Sequence, residues 1–279
     1  RTPFMGNGLA VFPDAGGLDA ATMARITSEM RQFESIFLFP HGDDAVEARI
    51  FTMEEELVFA GHPILGAASV LHALRRPDAA TGRWHLHLGT RVVTVQTERH
   101  PHWFSATMDQ GRVTFGAVAT PDYRAALLPA LNLTVDDWPA DLPMQVVTTG
   151  LPYLIVPVRR GLERARIMRQ DFAALLAEVG AQFVYVVDVA RREGRTWDNA
   201  GLVEDIATGS AAGPVGAYLV RYGLAPVEVD IILQQGRFMG RPSELRVRVH
   251  AAPQDGLWSE VSGDVCLVGS GTLSVPLVP

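Results

Sequence analysis

The run GSAAGPVGAYLV, from Gly209 to Val220, carries no charged residue and reads as a helix. A helix that is apolar all round has to be buried on all sides. Its glycines and alanines let neighbouring backbone come close, so the simplest home is inside a sheet that curls around it. A second segment of the same kind, AGHPILGAASVLHAL at residues 60–74, is entered through Gly61 and Pro63. The two can be laid on each other at one constant offset: Gly66-Ala67 on Gly216-Ala217, Val70 on Val220 and Leu74 on Leu224. Each stands just before the strand-rich part of its half, which points to an internal duplication.

The remaining patterns fit two such halves. In the first, GLAVFP (8–13) reads as a strand, and Asp19 N-caps a helix bearing Met23, Ile26 and Met30 at helical spacing. IFLF (36–39) and ARIFT (48–52) make a strand pair around the turn at His41–Asp44. WHLHL, RVVTVQT, HWFSATM and RVTFGAV follow the small-residue helix as strands. After the break at ATPD (119–122) come helical PDYRAALLPAL, strands QVVTTG and YLIVPV, a longer helix over 162–179, and strand FVYVVDV. The second small-residue helix is followed by strands VEVDIILQQ, ELRVRVH, WSEVSG and CLVGSGTLSV. The expected fold is α/β (α+β) with two pseudo-symmetric domains, residues 1–118 and 119–279. Each is a curled, mostly antiparallel sheet around a buried helix, and the last strand is free to pack on the first half.

Composition narrows function by exclusion. The chain has 279 residues, 48% hydrophobic and 20% charged, with a net charge of −7 and no basic run, which argues against nucleic-acid or anionic-membrane surfaces. No apolar segment reaches the roughly 18 residues of a membrane span, and no signal peptide is visible. The chain opens at Arg1, so a native N-terminus upstream is expected. Cys266 is the only cysteine, which rules out an internal disulfide and sets a cytoplasmic default. All 24 basic residues are Arg. Without lysine, Schiff-base and pyridoxal phosphate chemistry has no amine to use, and a Walker-type phosphate loop lacks its cation.

The two buried helices also suggest a site. A helix start presents free N–H groups and the positive end of a dipole, and so suits an anion. Gly61-His62 and Gly209-Ser210 are two such starts, expected to meet where the halves face each other.

Several motifs together resemble the PhzF-like family of phenazine biosynthesis, within the diaminopimelate-epimerase fold group. They are GNGLAVF (6–12), EMRQFESIFL (29–38), RIFT with ELVFAGHPILGAA (49–52 and 56–68), TGLPYLIVPV (149–158), EDIATGSAAGPVGAYLV (204–220) and QGRFMGRPSELRVRV (235–249). Each alone is weak, but their order and spacing over nearly the whole chain are specific. The resemblance implies an active site between two domains, a homodimer, and no metal, nucleotide or prosthetic group. By position it implies Glu34 as the catalytic carboxylate, with His62, Asp205 and Ser210 around the substrate and Asn7, Gly61 and Gly209 lining the site. The chain departs from the family pattern at the rim: GNG stands for GNP, FTM for FTP, and DIATGS for DPATGS. Arg195-Thr196-Trp197-Asp198-Asn199 replaces an R-x-F-x-P segment.

Each residue has a plainer reading. Judged by its neighbours alone, Glu34 is a solvated loop carboxylate. In the motif, beside Phe33 and Ile36, it is a carboxyl whose apolar setting raises its pKa towards the working range of an acid–base group. His62 on its own is a helix-start histidine satisfied by backbone; across from Asp205 it can bond a substrate heteroatom and carry a proton. Asp205 and Ser210 are also ordinary capping residues, and Glu204 reads as structural or solvated. His85 with His87, and His100 with His102, lack an acidic or thiol partner that would complete a metal site. One cysteine excludes racemisation by a facing pair of thiols, the chemistry of other members of the fold group.

The expected activity is therefore cofactor-independent isomerisation of a small unsaturated cyclic carboxylate. The family precedent is trans-2,3-dihydro-3-hydroxyanthranilate. The alternatives are a pyrroline or dienyl carboxylate in another natural-product pathway, a non-catalytic carboxylate-binding member, and an epimerase using a carboxylate and a histidine as its bases.

Overall fold

Two successive runs of the chain repeat one order of strand pairings in the computed structural model, which describes residues 2–32, 34–254 and 256–274. The first run comprises β1 (Leu9–Phe12), α1 (Ala20–Met30), β2 (Glu34–Pro40), β3 (Ala45–Phe51), the short β4 (Glu56–Leu57) and α2 (Gly61–Arg75). It ends with β5 (Thr81–Leu88), β6 (Arg91–Arg99) and β7 (Phe104–Arg112). A connecting stretch holds β8 (Thr114–Val118), α3 (Pro121–Ala130) and β9 (Gln145–Thr148). The second run is β10 (Pro152–Val158), α4 (Phe172–Ala177), β11 (Phe183–Asp188), β12 (Glu193–Arg195) and α5 (Gly209–Arg221). Then come β13 (Asp230–Gln235), β14 (Ser243–Ala252) and β15 (Gly256–Val265).

In the first run β1 is parallel to β2, β2 antiparallel to β3, β3 parallel to β5, and β5, β6 and β7 form an antiparallel meander. The second run repeats this with β10 and β11 parallel, β11 and β12 antiparallel, β12 and β13 parallel, and β13, β14 and β15 antiparallel. Parallel neighbours need a crossover, and helices supply it at each place: α1 and α4 for the first pair, α2 and α5 for the second. The duplication inferred from small residues is thus written in the topology. β7 and β15 pair antiparallel and join both halves into one sheet, β1-β2-β3-β5-β6-β7-β15-β14-β13-β12-β11-β10-β9-β8, with β4 on β3. β8 bonds to β9, and β9 to β10, at the far edge of the second half.

The helix without a polar face lies where its composition requires. Every residue of α5 from Gly209 to Leu219 is buried, and α2 is nearly as enclosed. Both helices share one continuous apolar core with the inner faces of the strands. Gly216 lies against Val247 and Val249 of β14, where a β-carbon would stand 2.5 Å from Val247 Cγ1, and Gly66 lies against Leu9 of β1. These glycines answer to the local sheet. The helix starts at Gly61 and Gly209 accordingly fall two residues out of register with the Gly66–Gly216 match. Outside the curl, α1 covers Phe37 and Phe51, while α3 and α4 cover the other face of β9, β10 and β11.

Two expected elements differ. The helix over 162–179 is only a short 3₁₀ turn at Leu162–Arg164 followed by α4. The backbone between them is paired elsewhere: Arg195 takes the carbonyls of Leu162 and Glu163, and the amides of Arg166 and Met168 bond to Leu131 and Ala130. CLVGSGTLSV is not a strand over its described residues. β15 ends at Val265 because its neighbour β7 begins at Phe104, the residue opposite. Val275, the last residue of that segment, and Phe33 lie outside the described residues.

Candidate active site

The starts of α2 and α5 meet backbone to backbone. A β-carbon on Gly61 would lie 2.7 Å from the carbonyl carbon of Gly209 and 2.8 Å from the amide nitrogen of Ser210, so only glycine fits. Neither helix has a side-chain cap at its N-cap residue, Ala60 or Thr208, whereas Asp19 caps α1 and Thr120 caps α3. Uncapped starts keep their N–H groups and dipole ends available to an anion. Asp205 and Ser210 are thus not the caps of α5 that a local reading allows.

Side chains from four segments converge beside this contact. Glu34 is the first residue of β2 and is buried; His62 is the second residue of α2; Asn7 precedes β1; Asp205 lies in the loop leading to α5. Asn7 Nδ2 donates to Asp205 Oδ1 at 2.7 Å and to the Ala207 carbonyl at 3.1 Å, and lies 3.3 Å from His62 Nδ1. An amide nitrogen has two hydrogens, and the two shorter contacts take them. The other oxygen of Asp205 accepts from the Thr208 hydroxyl at 2.6 Å, and Oδ1 also accepts from the Ala207 amide at 3.3 Å. Both oxygens of Asp205 are therefore committed.

Glu34 and His62 are not. Glu34 Oε2 and His62 Nε2 approach to 2.8 Å, and neither atom bonds to any other group. The contact is an ion pair held by charge. Burial alone would lower the pKa of His62. The charge and close contact of Glu34, the Asp205 charge and the Gly8 backbone together outweigh that, and the net position is above the ordinary histidine value. The two groups thus face each other in a water-poor setting, and a close acid–base contact of this kind with a perturbed histidine is a mark of a functional site.

Tyr153 and Gln235, which support the cluster, were not singled out from the sequence. Tyr153 of β10, fully buried, shares a 2.7 Å hydrogen bond with Ser210 Oγ. Gln235 Nε2 donates to the Asp205 carbonyl and to Thr208 Oγ1, both at 2.8 Å, while its Oε1 accepts from the Thr208 amide and from Tyr185 OH at 3.1 Å each. Glu204 is structural: Arg195 binds it through two hydrogen bonds of 2.9 and 2.6 Å, and the guanidinium sits between Trp197 and Phe238. The Asp205 amide then bonds to Thr196, so this clamp fixes the acidic loop. The signal for Arg195 was the R-x-F-x-P position; buried Tyr and Gln side chains give no such signal, because in sequence they are ordinary strand residues. Of the histidines outside the cluster, His85 bonds to Thr94 and His100 stacks on Trp103. Among the described residues no His, Cys, Asp and Glu group is arranged to hold a metal.

The model of the PhzC-PhzF family, phenazine biosynthesis-like proteins, matches residues 1–271. The chain belongs to this family. It is 34% identical over 291 residues to the trans-2,3-dihydro-3-hydroxyanthranilate isomerase of Pseudomonas fluorescens, covering 97% of this chain and 95% of that protein. It is 32% identical over 262 residues to the uncharacterized isomerase YddE of Escherichia coli K12, covering 88% and 86%. Among solved structures, a predicted epimerase of Pseudomonas aeruginosa, PA4716, is 49% identical with a TM-score of 0.90, covering 98% of this chain and 95% of that one. A probable proline racemase from Agrobacterium radiobacter, 13% identical with a TM-score of 0.60 over 94% and 84% of the two chains, shares the fold alone. This PhzC-PhzF family member is an isomerase, as its relatives are.

Proposed function

We propose that this isomerase shifts a hydrogen, and with it a double bond, on a small unsaturated cyclic carboxylate such as trans-2,3-dihydro-3-hydroxyanthranilate. The observation that carries the reading is the Glu34–His62 pair: a buried carboxyl group and a part-buried imidazole 2.8 Å apart whose facing atoms bond to no other group. Glu34 takes a proton from an activated substrate carbon and becomes the acid. The electron pair moves through the conjugated system, and Glu34 returns the proton at another carbon. The reaction is redox-neutral, and the proton carrier is a side chain of the chain itself. The helix starts at Gly61 and Gly209, with Ser210, hold the substrate carboxylate, while Asn7 and His62 orient the ring.

Asp205 acts as a fixed acceptor rather than a second base, because both its oxygens are already engaged, and its charge adds to that of Glu34 beside His62. That favours a single working base over the two facing bases of an epimerase. In this reading the two lobes divide ahead of β8, which bonds to β9 of the second half, rather than at 118/119; the protein is a cytoplasmic homodimer, and the pathway is one of secondary metabolism.

The test is incubation with trans-2,3-dihydro-3-hydroxyanthranilate in deuterated water. Turnover changes the ultraviolet spectrum, and Glu34→Gln abolishes it. Tight binding without turnover, equal in wild type and variant, supports a binding member. Inverted chirality with the double bond unmoved supports an epimerase. No response to this compound, with turnover of a pyrroline or dienyl carboxylate, moves the enzyme to another pathway.

A further inference from the structure

The first turn of α5 is poorly held by the helix itself. Thr208 gives it no side-chain cap, and Pro214 has no N–H to bond the Ser210 carbonyl. Its first rung, between the Gly209 carbonyl and the Gly213 amide, is shared with a residue from the other half. Gln110 of β7 donates from Nε2 to the Gly209 carbonyl at 2.7 Å and accepts at Oε1 from the Gly213 amide at 3.1 Å. One side-chain amide thus binds both ends of a helical rung.

Gln110 is set up for this. It sits in a β-bulge, where the β7–β15 register passes from Gly111–Ser259 to Asp109–Glu260 and leaves Gln110 unpaired. Gly111 makes the bulge at a φ of 88°. Such bulges re-aim a side chain and free backbone groups. The freed Gln110 carbonyl accepts from Arg91 Nη2 at 2.9 Å, and the same guanidinium lies 4.3 Å over Phe59, just before the start of α2. Gln110 is fully buried, and Gly213 leaves its amide room: a β-carbon there would strike Gln110 Oε1 and stand 2.5 Å from Ser259 Oγ.

We infer that Gln110 is a positioning residue, whose amide sets the Gly209–Ser210 end of α5 against Gly61 and so fixes the spacing of the two helix starts. The functional part of this inference rests on reading the Glu34 cluster as an active site. Gln110 touches none of Glu34, His62 or Asp205 through a hydrogen bond, so its loss should weaken substrate holding more than proton transfer.

Gln110→Met keeps the volume and removes both bonds. With trans-2,3-dihydro-3-hydroxyanthranilate as the probe, KM should rise about tenfold or more while kcat stays within about threefold. Hydrogen exchange of the 209–213 amides should quicken about tenfold, while that of a Leu127→Ala variant, destabilised in the outer core, should not. Gly213→Ala, which displaces the amide from the helix side, should raise KM in the same way although alanine is the better helix former. Unchanged KM and unchanged exchange in Gln110→Met, or a rise in exchange no larger at 209–213 than elsewhere, overturns the inference. If the wild-type enzyme does not turn the probe over, the functional reading fails separately, and the exchange measurement alone decides the role of Gln110.

Discussion

Gly61 and Gly209 touch through their backbones, one at the first position of α2 and the other at the first position of α5. Each belongs to a different half of the sheet, so the contact fixes the distance between the halves where the polar side chains gather. Neither position tolerates a β-carbon without moving main chain.

Gly61→Ala should therefore separate the two helix starts. The expected stability loss is about 1–3 kcal/mol, typical of overpacking. Activity should fall further than stability, by about 10²-fold in kcat/KM. Thermal unfolding and steady-state kinetics on one preparation check both; wild-type kinetics in a folded variant would contradict the assigned role of this contact.

Glu34→Gln should leave the fold intact and lower kcat by about 10³-fold, within the usual range for an acid–base group. The circular dichroism spectrum checks the fold, and the ultraviolet assay checks the rate. Residual activity within a few-fold of wild type would remove Glu34 from the chemistry.

The His62 pKa stands above its ordinary value in the folded protein, so the folded state binds the proton more tightly than the unfolded chain. The ion pair with Glu34 thus stabilises fully below the unfolded value near 6.5 and is lost as pH rises through the higher folded value. The Tm difference between wild type and His62→Asn should shrink as pH is raised from about 6 to 9. A difference that grows over that interval would show that the histidine is neutral in the folded state.

Thr208→Val should leave Asp205 Oδ2 and Gln235 Nε2 each short of a partner. Removing one side of a buried hydrogen-bond network costs about 1–3 kcal/mol. Differential scanning calorimetry reads that loss, and a kcat/KM reduced beyond it shows that the Asp205 geometry serves the reaction.

Arg195→Leu removes the partner of Glu204 in the clamp behind the acidic loop. Stranding a buried carboxylate costs about 3–5 kcal/mol. Arg195→Lys should recover little, since an ammonium cannot reproduce the two-pronged bond or the stacking between Trp197 and Phe238. Denaturant titration of the three proteins measures both effects.

What could be read from the chain follows how local the physics is. A run such as GSAAGPVGAYLV declares its burial because no side of it suits water, and from two such runs a sheet curled around each follows. Glycines at both helix starts likewise announced a close approach. The helix expected over 162–179 failed for the opposite reason: its carbonyls are taken by Arg195 and its amides by Ala130 and Leu131, partners distant in sequence. In the site, Glu34, His62 and Asp205 were assigned through the family motifs, because an ionisable group judged by its neighbours alone reads as solvated or as a helix cap. Tyr153, Gln110 and Gln235 were not, since a hydroxyl or amide in a strand looks the same whether it meets solvent or a helix start. Only the fold decides between those two.

The β7–β15 pairing has a consequence for synthesis on the ribosome. The first repeat ends on β7, which starts at residue 104, but the neighbour that closes that strand begins at Gly256. Until then the emerging polypeptide presents an open row of main-chain donors and acceptors along β7, a template for unwanted association. The N-terminal repeat thus waits for nearly the whole chain before its sheet is sealed, and truncation ahead of β15 leaves that seam open.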